Sequence, residues 1–192
     1  DRISFKEIKK NLPNGIILSG GPESVYAKKT LTLDPEILNS NIPILGICYG
    51  MQLIAQHFQG KVKTSKKSEF GNTSITLYRG KIFQKIFNKD LNVWMSHGDK
   101  VTQLPKGFKK IASSKNCSIA AFANEKHKKY GLQFHPEVTH TEKGSKILEA
   151  FIKDVCDCKA KWRSKNIVEK LINDIRSQVG NGKVLLLSLI HI

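Results

Sequence analysis

Cys48 lies in Gly46-Ile47-Cys48-Tyr49-Gly50-Met51-Gln52, with glycines close on either side. The apolar run before it reads as a buried strand, and Met51, Leu53, Ile54 and Phe58 give the segment after it a helical apolar face. The thiol therefore falls on a strand-to-helix turn, where small neighbours allow a tight, strained backbone to display a nucleophile. A helix N-terminus is positive, which favours the reactive thiolate. Far downstream, Phe134-His135-Pro136-Glu137 follows another strand-like run. The C-terminal strand edge is where α/β sheets assemble their sites. His135 suits a base for the thiol proton, and Glu137 a carboxylate that orients the imidazole. A third strand-like run leads into Ser19-Gly20-Gly21-Pro22, whose glycines let backbone N–H groups approach a ligand. If that turn lies beside Cys48, the N–H groups of Gly21 and Tyr49 are placed to stabilise an oxyanion. Each piece alone has a plainer reading: a buried cysteine, a surface ion pair and a loop.

The elements that must position these residues follow from periodicity. Strands are predicted at 15–19, 42–47, 74–78, 92–96, 109–113, 119–123 and 130–134, and helices at 5–11, 50–59 and 142–155. Thr139 and Glu142 are spaced as a capping box for the last helix. The fold expected is three-layer α/β with a mixed, largely parallel central sheet. After residue 157 the composition turns polar, which reads as a linker over 158–165. A further helix follows, with Ile167, Val168, Leu171, Ile172 and Ile175 facing inward, then a strand from Lys183.

Composition excludes more than it assigns. With 40% hydrophobic residues in 192, the chain can bury one substantial core. No run reaches the roughly 18 apolar residues of a membrane span, and no secretory signal is evident. The net charge of +16 comes from 32 basic against 16 acidic residues. Only Arg2, Arg79, Arg163 and Arg176 carry guanidinium forks, and the lysine pairs are dispersed, so a nucleic-acid surface is not expected. Cys48, Cys117, Cys156 and Cys158 form no disulfide framework, and Cys156-x-Cys158 is too close for a structural zinc pair. No metal site is expected from His135 or His140, and the polarity and cysteine usage suit the cytoplasm.

Together these pieces resemble the class I glutamine amidotransferase family. The resemblance rests on Leu18-Ser-Gly-Gly-Pro22, 46–52, Trp94-Met-Ser-His-Gly-Asp99 and Gln133-Phe-His-Pro-Glu-Val-Thr-His140, and spans about residues 8–188. Residues 95–101 and the Gln-Val-Gly-x-Gly-Lys-Val-Leu run from Gln178 point to the branch that aminates XMP to GMP. The resemblance implies a Cys48-His135-Glu137 triad that hydrolyses glutamine through a thioester, with Gln52, Ser96, His97, Gly98 and Asp99 against the substrate. It also implies that the ammonia passes to a synthetase domain using ATP, Mg2+ and XMP, in a protein that is a homodimer at full length.

Against that family the ends of the chain differ. Relatives carry a further front segment with the first core strand, so residues 1–157 read as an amidotransferase domain lacking its N-terminal portion. Residues 166–188 read as the start of an ATP pyrophosphatase domain. Leu189-Ile190-His191-Ile192 stands where relatives continue into a phosphate-binding loop, and reads as a non-native tail. No cofactor is expected on this segment, nor GMP synthesis by it alone. The competing readings are a non-catalytic amidotransferase-like binding module and the amidotransferase subunit of another biosynthetic enzyme.

Overall fold

The computed structural model describes residues 4–21, 33–159 and 164–185. It divides into two compact units, Asp1–Cys158 and Lys159–Ile192. The first unit runs α1 (Phe5–Lys10), β1 (Ile16–Leu18), α2 (Pro35–Asn39), β2 (Ile44–Ile47), α3 (Tyr49–His57) and β3 (Lys61–Leu77). A 3-10 turn at Lys81–Phe83 precedes β4 (Asp90–Gln103), β5 (Lys109–Ser114), β6 (Ala121–Asn124) and β7 (Lys129–Leu132). Last comes α4 (Gly144–Ala150), extended by a π turn over Phe151–Val155.

The seven strands form one sheet in the order β1-β2-β7-β6-β5-β3-β4. Successive side chains on a strand point to opposite faces, and here the two faces bury separate cores. Ile44 packs with Met51 and Ile54 of α3 and Ile37 and Leu38 of α2. Its neighbour Leu45 packs on the other face with Ile147, Phe151 and Val155. Helices on both faces give the three layers expected. The balance of the sheet differs from expectation, because among the described residues β1–β2 and β2–β7 pair parallel, while β3–β4, β3–β5, β5–β6 and β6–β7 pair antiparallel. The sheet is mixed but not largely parallel. The excess lies in β3 and β4, a ribbon much longer than the predicted 74–78 and 92–96. The lysine- and serine-rich front of β3 carries little apolar alternation, so its extended form comes from pairing with β4, which no local pattern announces.

Two helix starts differ from expectation. Asp34-Pro35-Glu36 starts the unpredicted α2, with the Asp34 carboxylate accepting from the Glu36 N–H and Pro35 in the first turn. The expected capping box at Thr139 and Glu142 does not form. The residue before α4 is Lys143, in the left-handed region, and Glu142 instead accepts from the backbone N–H and side-chain amide of Asn92. Pro22 and residues 186–192 lie outside the described residues.

In the second unit, α5 (Ser164–Val179) forms as expected. Its apolar residues do not face inward: Val168, Leu171, Ile172 and Ile175 are exposed. No strand is present over 183–185.

Candidate active site

Parallel pairing of β2 with β7 puts their C-terminal ends at one edge, in the register Ile47↔Leu132. The chain leaves β2 at Cys48 and reaches His135 shortly after β7, so residues 87 positions apart meet there. The Cys48 N–H donates to the Leu132 carbonyl at 2.7 Å, tying the turn to the end of β7. Cys48 has φ 50° and ψ −104°, a strained backbone that packing on both sides must hold. The two glycines are required by close approach. A Cβ at Gly46 would lie 2.4 Å from the Gly50 carbonyl carbon, and one at Gly50 would lie 2.3 Å from the Leu18 carbonyl oxygen.

His135 is tied to β4 directly and through Thr141. Its N–H donates to the Trp94 carbonyl at 3.0 Å, its carbonyl accepts from the Thr141 hydroxyl at 2.6 Å, and the Trp94 N–H donates to that hydroxyl at 3.0 Å. Buried Thr141 is thus a positioning residue that the sequence alone did not single out. The imidazole Nδ1 lies 2.7 Å from Glu137 Oε1. An ionised carboxylate only accepts, so Nδ1 carries the proton and the neutral ring keeps its lone pair on Nε2. His140, the other histidine of the motif, stacks on Trp94 with ring centroids 4.7 Å apart.

The first turn also arrives at this edge. A Cβ on Gly20 would stand 2.9 Å from His135 Cε1 and 3.5 Å from Cys48 Cβ, so the glycine turn, thiol and imidazole border one space. That space is a pocket of about 580 Å³ lined by Gly21, Cys48, Tyr49, Gln52, Phe70, Ser96, His97, Gly98, Asp99 and His135. Every residue named from sequence for catalysis, oxyanion or substrate lines it except Glu137, which stands behind His135.

Burial raises the Cys48 thiol pKa, against the lowering effect of the Tyr49 N–H and the Gln133 amide, with the Glu137 charge adding to the rise. Burial thus opposes the thiolate that the helix macrodipole favours. The thiol donates to the Ser96 carbonyl at 3.5 Å. A proton so held must be removed by a base, which is the chemistry the Nε2 lone pair supplies.

Gln52 is buried, not solvated: its amide donates to the Asp99 carbonyl at 3.0 Å. Ser96, His97, Gly98 and Asp99 sit within β4, and strand alternation turns His97 and Asp99 to the same buried phase as Val93 and Met95. Two side chains beside the thiol were not anticipated. Gln133 Nε2 lies 3.8 Å from Cys48 Sγ, and Phe70 forms an exposed part of the pocket rim. A third group, Glu69, His97 and Cys117, brings its carboxylate, imidazole and thiol atoms within 4.8 Å of one another in the buried wall behind the pocket.

Residues 2–155 match the family "Glutamine amidotransferase class-I". The chain is 48% identical over 183 residues to the glutamine-hydrolysing GMP synthase of Staphylococcus epidermidis, covering 95% of this chain and 36% of that protein. The GMP synthase of Staphylococcus aureus gives the same figures. The chain thus spans a little over a third of the length of these relatives. Among solved structures, a putative GMP synthase subunit from Thermoplasma acidophilum superposes with a TM-score of 0.67 at 32% identity, over 84% of this chain and 79% of that one. A glutamine amidotransferase of Thermotoga maritima superposes with a TM-score of 0.56 at 26% identity, over 84% and 67% of the two chains. With four-fifths of its length matched to one family and the cysteine turn, histidine and pocket assembled at one sheet edge, the chain belongs to the class-I glutamine amidotransferases.

Proposed function

We propose that this chain is the glutamine-hydrolysing part of a GMP synthase, with Cys48 as nucleophile, His135 as base and acid, and Glu137 as the carboxylate that orients the imidazole. The observation that carries this reading is the convergence of Cys48 and an Nδ1-protonated His135 on one pocket. His135 Nε2 takes the thiol proton as Sγ attacks the side-chain carboxamide carbon of glutamine. The N–H groups of Gly21 and Tyr49 stabilise the oxygen that becomes negative. The C–N bond breaks as His135 returns the proton to nitrogen, releasing ammonia and leaving a γ-glutamyl thioester on Cys48. His135 then draws a proton from water, whose oxygen attacks the thioester to free glutamate and restore the thiol. Gln52 and the wall formed by Ser96, His97, Gly98 and Asp99 hold the glutamine. The 48% identity to glutamine-hydrolysing GMP synthases supports ammonia delivery to XMP in the longer protein. ATP and Mg2+ serve that second half-reaction, and no step of glutamine hydrolysis runs through them. The same reading puts the longer protein in the cytoplasm as a homodimer.

A diazo-ketone analogue of glutamine tests the site. The expected result is alkylation of Cys48 alone, slowed strongly in His135→Ala, whose labelling climbs with pH beyond the range of an ordinary free thiol because burial raises the thiol pKa. Labelling of another cysteine in preference, or full-speed labelling of the His135→Ala protein at neutral pH, refutes the assignment. Glutamine-dependent ammonia release that survives Cys48→Ala refutes it too.

A further inference from the structure

In the pocket wall, His97 is held at both ring nitrogens. Its Nδ1 lies 3.0 Å from the Asp99 carbonyl oxygen and its Nε2 lies 3.2 Å from Glu69 Oε2. A carbonyl has no proton to give, so Nδ1 must carry one. The contact between Nε2 and the carboxylate then needs a second proton, on the ring or on the oxygen. The other side of Glu69 is fixed: Ser114 Oγ accepts from the Cys117 N–H at 2.9 Å and turns its own proton to Glu69 Oε1 at 3.1 Å. His97 and Glu69 are both almost wholly buried, at 4% and 6% exposure. Burial lowers the His97 pKa against the opposing pull of the Glu69 carboxylate and the Asp99 carbonyl. With one proton between them, the pair as a whole is neutral.

The Asp99 carbonyl that receives His97 Nδ1–H also receives the Gln52 amide at 3.0 Å. It therefore joins the first turn of α3, just after Cys48, to the strand that walls the pocket. One residue before His97 in that strand, the Ser96 carbonyl accepts from the Cys48 thiol. We infer that Glu69 is a positioning residue for glutamine binding: by sharing one proton with His97 it fixes the Asp99 carbonyl against Gln52 and holds the pocket wall in place. The role assigned to the wall rests on the glutaminase reading, whereas the shared proton does not.

A metal ion among Glu69, His97 and Cys117 is the rival occupant of this space. The described hydrogen bonds disfavour it. The Cys117 thiol, pushed up to about 11 by burial, donates to the Ile119 carbonyl, and both Glu69 oxygens already have partners. The ionisable groups bordering the pair are Lys100 and Asp99 on β4 and Cys117 in the β5–β6 turn.

Glu69→Gln and Glu69→Ala separate a proton bridge from mere filling of space. In Glu69→Gln the amide N–H can donate to Nε2 and the amide oxygen can accept from Ser114, preserving both bonds without a proton that titrates. In Glu69→Ala both partners are left unpaired. With the diazo-ketone analogue as probe, Glu69→Ala is expected to weaken its reversible binding about 10-fold, as for loss of one buried hydrogen bond, with a smaller change in the maximal rate of Cys48 alkylation. Glu69→Gln is expected to restore binding to within about 3-fold of wild type. Raising the pH strips the shared proton and sets two lone pairs against each other, so wild-type binding weakens as pH rises, and burial brings that loss on at lower pH than for an ordinary imidazole. That pH-dependent loss is absent in Glu69→Gln, which keeps Lys100, Asp99 and Cys117.

Nitrogen NMR of the His97 ring reads the proton directly, with a proton on Nδ1 in both proteins and a pH-dependent Nε2 signal in wild type only. If Glu69→Ala does not fold, the Glu69→Gln pH profile and this spectrum decide. Unchanged analogue binding in Glu69→Ala, impairment in Glu69→Gln equal to that in Glu69→Ala, a pH-dependent loss that persists in Glu69→Gln, or zinc purified at one equivalent on these side chains would each overturn the inference. Failure of wild-type Cys48 to react at all counts against the glutaminase reading, and the NMR result still decides the shared proton.

Discussion

Gly50→Ala tests whether the cysteine turn is held by close approach of α3 to β1. The added methyl would lie 2.3 Å from the Leu18 carbonyl oxygen, 2.7 Å from Leu18 Cβ and 2.9 Å from the Leu18 carbonyl carbon, whereas ordinary contact begins at 3.4 Å. Two of these three atoms belong to backbone of the neighbouring strand, so no side-chain rotation relieves the overlap, and α3 must shift by about 1 Å. Opposing this, Ala is favoured over Gly within a helix by about 1 kcal/mol. Overpacking of a rigid site costs about 1–3 kcal/mol, and contact with backbone places this site at the upper end. The net expectation is destabilisation by about 1–2 kcal/mol in urea denaturation, with an unchanged m-value. The functional effect should exceed the thermodynamic one. Gly50 follows Cys48 by two residues and Leu18 precedes the Gly20-Gly21 turn, so the shift opens the gap between the nucleophile and the proposed oxyanion N–H of Gly21. A misplacement of about 1 Å in a reacting geometry costs on the order of 100-fold, which should appear as that loss in the rate of Cys48 alkylation by the diazo-ketone analogue. A Gly50→Ala protein more stable than wild type, as helix propensity alone predicts, with undiminished labelling, would refute the packing argument.

Two further perturbations address buried polar groups. Lys129 is 1% exposed and donates to the carbonyls of Ser40 and Ile42, yet burial lowers its pKa to about 8 from an ordinary 10.5. Because the folded state releases this proton first, the cost of burying the charge is complete below pH 8, and stability gains from this residue as pH rises from about 8 towards 10.5. Urea denaturation across that range should show an upward contribution in wild type that is missing from Lys129→Met, and parallel curves for the two would sink the assignment. Gln133 is fully buried with its Oε1 unpaired among the described residues, so Gln133→Met should stabilise the fold by about 1 kcal/mol. The same change removes the amide that lowers the Cys48 pKa, and alkylation of Cys48 should shift to higher pH. Destabilisation, or an unmoved alkylation profile, contradicts this account.

The chemistry-bearing residues were legible because their signals are local. A cysteine between glycines after an apolar strand, and a histidine and glutamate after another, state their own conformation whatever surrounds them. The helix over Tyr49–His57 and the strand before it followed from the same pattern. Less was legible where a long-range partner supplies the reason for a structure. Residues 61–73 are a strand because 93–103 lie beside them. Thr141 carries no local signal of its own, and its hydroxyl joins Trp94 to the His135 carbonyl. The helical stripe of Ile167, Val168, Leu171, Ile172 and Ile175 gave α5 its period, but periodicity cannot supply a surface for that stripe to cover.

By itself, the sequence determined that Cys48, His135 and Glu137 stand just beyond the ends of strands, and that helices layer against a sheet. Tertiary structure alone decided that β2 and β7 are parallel neighbours, which brings Cys48 and His135 to one edge, and that Glu69 lies beneath His97. The thiol's proton was decided there too, since a helix terminus favours its loss and burial opposes it, and burial is a property of the whole fold.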